Sequence, residues 1–285
     1  MFLQQNDQPF SSAEIEAWAA QAVDFEVPRD EFERLHRLIQ WYFPTTLVGL
    51  ENIPPGPTLF VGNHSLYGID AVILVSEMLH RTGRCLRVTA DQFFFQIGLG
   101  EFMRKRGVVL ANPRICSALM EAGEDIVVYP GGAFESTKPE SLKYSLLWRE
   151  RYGFVRMAAR HGYTITPFGM VGPDDCYDHV LEGPALLESA PGRLLTRLGL
   201  THSLRKDILP PVSLGLLGTP LPKPQPAFAA FGKAIAVPGG GGTEVGEDVL
   251  RTVRQETAQR IDELLHDMLL LRAQQQPGWL RRWFL

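Results

Sequence analysis

The chain has 285 residues, of which 45% are hydrophobic, and carries a formal net charge of −4 at pH 7. This composition excludes a globally disordered chain, and the slightly acidic balance argues against nucleic acid as a partner. The three cysteines, Cys85, Cys116 and Cys176, are widely spaced and form no CxxC pair, which indicates a reducing compartment and neither a redox nor a metal pair.

The amino-terminal region predicts two helices. Ser11 precedes Glu14 by three positions, and Asp30 precedes Glu33 by three, as in capping boxes ahead of apolar side chains at helical spacing. Pro44 ends the second helical pattern. We therefore expect residues 1–44 to form a helical subdomain, and its apolar surface suggests contact with a membrane.

From residue 58 onward, short apolar runs alternate with helical patterns. The predicted strands are 58–62, 85–89, 107–110, 125–129, 164–169, 212–217 and 228–232. The predicted helices are about 69–82, 92–104, 112–122, 146–161 and 246–273. This alternation predicts an α/β domain over residues 45–238, with a mostly parallel central sheet flanked by helices. Residues 174–211 are predicted to form a flap over the site, and residues 239–285 a glycine-rich linker, a last helix and a tail on the same domain.

The stretch "NHSLYGID", residues 63–70, places a histidine where the first of these strands ends and an aspartate where a helix begins. Ligands of parallel sheets bind outside the carboxyl ends of the strands. An imidazole has an unperturbed pKa of about 6.5, and a carboxylate bonded to one ring nitrogen fixes the tautomer that lets the other accept a proton. His64 and Asp70 are therefore candidates for a general base and its orienting group. A helix-capping role for the same pair is the alternative.

Two further stretches carry candidate chemistry. In "YPGGAFES", residues 129–136, Gly131 and Gly132 allow substrate to approach the backbone and expose amides to an oxyanion, unless the turn is an ordinary strand exit. In "FMRKRGVVLANP", residues 102–113, Arg104 and Arg106 belong to a basic cluster suited to a phosphate or to the diphosphate of CoA. A solvated helix end is the alternative for that cluster.

Taken in chain order, four stretches resemble the glycerolipid acyltransferase (lysophosphatidate-acyltransferase-like) family. They are "VGLENIPPGPTLFVGNH", "FMRKRGVVLANP", "IVVYPGGAFES" and "TITPFGMVG". The similarity is closest to the monoacylglycerol/diacylglycerol-acyltransferase-like branch, because five residues separate His64 from Asp70 where the general family pattern has four. Phe134 stands where relatives of that branch often have arginine, which disfavours a lysophosphatidate acceptor.

The resemblance implies an O-acyl transfer. His64 would remove a proton from the hydroxyl of a lipid alcohol, such as a mono- or diacylglycerol or a long-chain alcohol, and Asp70 would orient His64. The alkoxide would attack a thioester, amides near Gly131 and Gly132 would stabilise the oxyanion, and Glu135 would position the acceptor.

The same resemblance implies the binding partners. Acyl-CoA or acyl carrier protein would be the co-substrate, with no other cofactor and no metal, and the histidines show no HExxH spacing. Asn63, Arg104 and Arg106 are assigned to substrate binding together with the glycine turn and Glu135.

The predicted location is cytoplasmic and peripheral to a membrane. The start of the chain has no signal-peptide pattern, and no apolar run approaches the ~18 residues that span a bilayer. The tail "QQPGWLRRWFL", residues 275–285, combines aromatic and basic side chains as interfacial segments do, and residues 32–43 offer a second apolar face. Packing of either segment on the core is the alternative.

Other functions stay open at this stage. A lysophospholipid (lysophosphatidate) acyltransferase would keep the fold and change the acceptor. A non-catalytic lipid- or acyl-carrier-binding protein would keep the scaffold without the chemistry. An α/β-hydrolase is disfavoured because the sequence has no GxSxG nucleophile elbow.

Overall fold

Most of the apolar runs pair into one seven-stranded sheet. The computed structural model describes residues 9–189, 193, 209–239 and 245–279. The strands of this sheet are β1 Thr45–Val48, β2 Thr58–Gly62, β3 Arg87–Ala90, β4 Val109–Leu110, β5 Ile126–Val128, β6 Thr164–Val171 and β9 Ala227–Phe231. Two other strands, β7 Asp178–Leu181 and β8 Val212–Leu214, form a separate antiparallel pair.

The strands follow the order β1-β9-β6-β2-β5-β3-β4. The five strands from β6 to β4 are parallel, β9 runs antiparallel to β6, and β1 is parallel to β9. The predicted α/β fold with a mostly parallel sheet is therefore confirmed. Every residue of β2 is buried, as expected for a central strand covered on both faces. The carboxyl end of β2 thus brings the following histidine to the middle of one edge of the sheet.

Helices cover both faces of the sheet. They are α1 Ser12–Val23, α2 Arg29–Tyr42, α3 Ile69–Thr82, α4 Gln92–Gln96, α5 Gly100–Arg104, α6 Pro113–Glu121, α7 Gly132–Ser136, α8 Gly153–His161, α9 Gly183–Glu188 and α10 Glu247–Trp279. Because side chains alternate along a strand, Leu59 and Val61 face a core shared with α1, α6, α8 and α10, whereas Phe60 faces a core shared with α2 and α3. The two helices of residues 1–44 therefore contribute to opposite cores of the same α/β unit.

The predicted helix ends differ from the observed ones for local reasons. The capping box of α1 is present, with Ser11 Oγ accepting from the Glu14 amide at 3.2 Å. The second predicted box is wrong, because α2 starts after Pro28 without a side-chain cap. The helix predicted over 92–104 is two short helices, because Gly98 turns the chain with φ +87°. The helix predicted over 146–161 begins only at Gly153.

Two strand predictions were also incomplete. β1 was not predicted, since its four residues carry little pattern, and its pairing with β9 lies 182 residues away in the register Thr45–Ala227. The strand predicted over 212–217 is β8, which ends at Leu214 and pairs with β7 outside the main sheet.

The last helix, α10, is 33 residues long and packs on β6 through Ile261 and Leu265. Over the ranges that the structure describes, no helix combines the length and apolar content that a membrane span requires. Much of the predicted flap, the middle of the predicted linker and the end of the aromatic tail lie outside the described residues.

Candidate active site

The loop after β2 is fixed by the side chain of Asn63. Its Nδ2 donates to the Met170 carbonyl at 2.9 Å, and its Oδ1 accepts from the Met170 amide at 2.8 Å. The amide side chain therefore continues the pairing of β2 with β6 by one residue. Asn63 is 1% exposed, so its observed role is to hold the loop, and its predicted substrate contact is not seen.

His64 and Asp70 meet as predicted. His64 Nδ1 lies 2.9 Å from Asp70 Oδ2, and Ser65 Oγ donates to Asp70 Oδ1 at 2.7 Å. Burial alone would raise the pKa of Asp70, but the charge and hydrogen bond of His64 and the bond from Ser65 hold it below the usual value. The ionised carboxylate accepts the Nδ1 proton, which leaves Nε2 as the proton acceptor. Among the described residues, none forms a hydrogen bond with Nε2.

The backbone between the two residues turns sharply. Tyr67 and Gly68 both have left-handed dihedral angles, with φ +60° and +70°. This turn folds the start of α3 back onto His64, so that a gap of five residues still closes the contact. The Tyr129 ring at the end of β5 stacks on the imidazole, with centroids 4.1 Å apart and planes 14° apart. Tyr129 thus fixes the plane of the ring while Asp70 fixes its rotation.

Two buried charged groups hold the His64 peptide from opposite sides. The His64 amide donates to Glu135 Oε1 at 2.7 Å, and the His64 carbonyl accepts from Lys138 Nζ at 2.6 Å. Lys138 forms an ion pair with Asp174 at 3.0 Å, and both side chains are only 4% exposed. The backbone position of the base therefore depends on Glu135 and on this buried ion pair.

Glu135 does not occupy the place that the sequence predicted. It is fully buried, and its Oε2 accepts from the Leu147 amide at 3.0 Å while Oε1 holds His64. Burial raises the pKa of Glu135 to about 7, against the opposing charge of Lys138. Both Glu135 oxygens bond backbone amides, one of them in the loop after β2, so the observed role of Glu135 is to hold that loop, and its contact with the acceptor stays a prediction.

The glycine turn is shaped around Glu135. A Cβ on Gly131 would lie 2.2 Å from Glu135 Oε2, so only glycine permits the glutamate to reach His64. The Gly132 amide donates to the Tyr129 carbonyl at 2.9 Å, which closes the turn and occupies one of the two predicted oxyanion donors. Arg151 Nη1 donates to the Pro130 and Gly131 carbonyls at 2.8 and 2.6 Å.

We expect Gly131→Ala to lower the free energy of unfolding by about 1–3 kcal/mol, because the new methyl group displaces the Glu135 side chain. Gly56→Ala is the control, since a Cβ there meets nothing within 4 Å and φ is not positive. Urea unfolding of both variants checks the difference. Equal stability of the two variants would show that the close approach at Gly131 is not required.

The structure does not bring the predicted basic residues to His64. Arg104 Nε donates to Gln21 Oε1 at 2.9 Å, and Arg106 Nη2 bonds Glu31 Oε1 at 2.6 Å. Both arginines precede β4, so they lie near the amino end of a strand that is parallel to β2, whereas His64 follows a carboxyl end. β4 is also three strands away from β2, or about 14 Å. The structure therefore separates them from His64, and their assignment to substrate binding stays a prediction.

A second group of residues missed by the sequence links the site to α10. The Tyr144 amide donates to Asp174 Oδ2 at 3.0 Å, and the Tyr144 hydroxyl donates to Asp175 Oδ2 at 2.5 Å. Arg272 of α10 pairs with the same Asp175 carboxylate. Adjacent acidic residues after β6 were the available signal, but their partners come from two distant segments. Within the described ranges, no three histidine, cysteine, aspartate or glutamate side chains group as a metal site would.

Comparison with known proteins places this site in an acyltransferase domain. Residues 45–171 match the Acyltransferase family model, and this range contains His64, Asp70 and Glu135. The relatives include phytyl ester synthase 1, chloroplastic, from Arabidopsis thaliana, which is 31% identical over 47% of this chain and 20% of its own length. Diacylglycerol O-acyltransferase 2B from Umbelopsis ramanniana is 25% identical over 78% of this chain and 66% of its own length.

Among solved structures, the 1-acyl-sn-glycerophosphate (LPA) acyltransferase PlsC from Thermotoga maritima is 14% identical, with a TM-score of 0.48 over 88% of this chain and 89% of that chain. The chain spans about a fifth of the length of the phytyl ester synthases that it matches. The family match agrees with the resemblance noted in the sequence. Residues 45–171 are therefore an acyltransferase domain, and the relatives that the chain resembles include a phytyl ester synthase and a diacylglycerol O-acyltransferase.

Proposed function

We propose that this chain transfers a fatty acyl group from a thioester, acyl-CoA or acyl carrier protein, to the hydroxyl of a lipid alcohol. The observation that supports the proposal most strongly is the 2.9 Å contact between His64 Nδ1 and Asp70 Oδ2 inside the matched acyltransferase domain. Because Nδ1 donates to Asp70 in that contact, the other ring nitrogen, Nε2, can accept a proton. The names of the relatives favour a mono- or diacylglycerol or a long-chain alcohol as acceptor.

In the proposed reaction, His64 both accepts and returns the transferred proton. His64 Nε2 takes the hydroxyl proton while the oxygen attacks the thioester carbonyl. The tetrahedral intermediate collapses with cleavage of the carbon–sulfur bond, and the imidazolium returns the proton to the departing sulfur. Asp70 stays ionised and stabilises the imidazolium. Because the Gly132 amide closes the turn, the Gly131 amide is the remaining oxyanion donor of the predicted pair.

A second acceptor class is supported by one contact. Phe134 replaces the arginine that many relatives carry, but the guanidinium of Arg149 lies over the Phe134 ring at 3.8 Å. Arg149 thus returns a cation to the position beside Glu135. A lysophosphatidate acceptor, whose phosphate would bind such a cation, is therefore the second candidate.

The acceptor panel separates the candidates. Radiolabelled acyl-CoA or acyl carrier protein is incubated with a diacylglycerol, a long-chain alcohol or a lysophosphatidate, and the lipids are resolved by chromatography. We expect a labelled neutral ester. Labelled phosphatidate would establish the second candidate instead. An intact thioester with every acceptor would contradict the proposed catalysis and favour a non-catalytic lipid- or carrier-binding protein.

A lipid acceptor implies work at a membrane surface, and we propose a cytoplasmic protein that binds the membrane peripherally. Of the two segments suggested by the sequence, α2 does expose Leu38 and Trp41, which are 58% and 64% exposed. The end of the aromatic tail lies outside the described residues. These two side chains alone give a narrow apolar surface.

A further inference from the structure

The segment between β3 and β4 presents a broad apolar face to solvent. Four of its large side chains are each between 44% and 58% exposed: Phe93, Ile97, Leu99 and Phe102. Phe93 and Ile97 are four residues apart on α4 and its end, and Leu99 and Phe102 are three residues apart at α5, so each pair shares one helix face. We call residues 91–106 the α4–α5 hairpin.

The hairpin is held in place from its buried side. Asp91 Oδ1 caps α4 by accepting from the Phe93 amide at 2.9 Å, and Gly98 turns the chain with φ +87°. Phe95 is buried and packs on Trp18 of α1, with ring centroids 5.7 Å apart. Because the inner face is anchored in this way, the outer apolar side chains are presented by the fold and do not result from a loose loop.

Basic side chains border this apolar face. The Arg106 guanidinium stacks on the Phe102 ring at 3.8 Å, and the Lys105 side chain is 66% exposed. Three cations, Arg104, Lys105 and Arg106, face two carboxylates that pair with them, Glu101 and Glu31. This end of the hairpin is therefore weakly positive, Asp91 places a carboxylate at the other end, and the main exposed feature is apolar.

The hairpin starts beside the catalytic edge of the sheet. α4 begins two residues after the end of β3, and β3 pairs with β5 in the register Val88–Val127. The residues that follow β5 include Tyr129 and Gly131, which contact His64 and its glutamate. A surface that covers the start of the hairpin would therefore lie on the side of the molecule where the base is placed.

We propose that the outer face of the α4–α5 hairpin docks on the surface of a lipid bilayer. Large aromatic and aliphatic side chains with basic neighbours are typical of segments that lie in the headgroup region, and anionic headgroups complement Lys105 and the arginines. Soluble monomers rarely leave a large apolar patch exposed without a partner. An acidic protein is a poorer fit, because the exposed side chains at the centre of this face are apolar. The role of the bilayer as the source of the acceptor rests on the proposed function, whereas docking itself does not.

The test compares vesicle binding by two matched double variants of the full chain. Phe93→Ser with Ile97→Ser removes one exposed pair from the hairpin, and Leu217→Ser with Leu221→Ser removes two exposed leucines from the loop after β8. Co-sedimentation uses phosphatidylcholine vesicles with and without phosphatidylglycerol. We expect the hairpin variant to bind vesicles at least about tenfold more weakly, since each lost apolar side chain removes area that would be buried in the bilayer. The control variant should bind like the unmodified chain.

Three results would overturn the docking proposal. They are unchanged binding of the hairpin variant, an equal loss in the control variant, and no vesicle binding by the unmodified chain. Vesicle binding is measured without acyl donor, so its outcome is independent of catalysis. A second readout uses a water-soluble short-chain alcohol as acceptor. The hairpin variant should keep its rate with that acceptor, and a lost rate would show a structural role instead of docking.

Discussion

The His64→Ala variant should form ester at about 10²- to 10⁴-fold lower rate than the unmodified chain, because it loses the ring nitrogen that we propose takes the hydroxyl proton. The Nδ1 partner, Asp70, is buried and bonded to Ser65, so the loop keeps one of its side-chain contacts. The measurement is the initial rate of labelled ester formation, with circular dichroism to verify the fold. His80→Ala is the control, since His80 lies at the end of α3, where it pairs with Glu33.

Asp70→Asn refines the same expectation. An amide at this position donates to Nδ1 in place of accepting from it, so the imidazole proton moves to Nε2 and the base is lost. We expect a loss similar in kind to that of His64→Ala, with little change in the KM for the thioester. A His64→Ala enzyme that retains more than about a tenth of the rate would contradict the assigned base.

Lys138→Met should damage both stability and turnover. The variant removes the ammonium that holds the His64 carbonyl at 2.6 Å and leaves the Asp174 carboxylate buried without its ion pair. Breaking a buried pair from one side costs about 3–5 kcal/mol, whereas loss of the more exposed Lys143 pair costs about 1 kcal/mol or less. Lys143→Met on the same loop is therefore the control, and urea unfolding with steady-state kinetics gives both readouts.

A double variant separates the two effects of Lys138. Adding Asp174→Asn removes the uncompensated charge, so Lys138→Met with Asp174→Asn should regain much of the stability. It should not regain kcat, because nothing then fixes the His64 carbonyl. Wild-type kcat in the stable double variant would show that Lys138 supports the fold and does not position the base.

The contact that the sequence predicted correctly is a local one. His64 and Asp70 lie on one strand end and the helix that follows it, so their meeting depends on six positions of chain. The roles of Glu135 and Lys138 could not be read in the same way, because each depends on a loop 71 or 74 residues from His64 folding over its peptide. The identity of a residue as glutamate does not show whether its carboxylate is buried or exposed.

The distance of Arg104 and Arg106 from His64 was missed for a different reason. A basic cluster carries the same charge at either edge of a sheet, and the resemblance to a family block drew both residues to the substrate site. Strand polarity contained the correction, since these residues precede a strand whereas His64 follows one. The split of the predicted helix over 92–104 was signalled only by Gly98. That split exposes the apolar face of the α4–α5 hairpin.

In the proposed mechanism, the His64 imidazole activates the acceptor hydroxyl directly. The most direct measurement is a single turnover with excess enzyme, labelled acyl-CoA and a long-chain alcohol, quenched in acid and analysed for both lipid and protein label. We expect the label to pass from thioester to ester without a protein-bound intermediate, and His64→Ala to leave the thioester intact. Label trapped covalently on the protein, or ester formed at the same rate by His64→Ala, would contradict it.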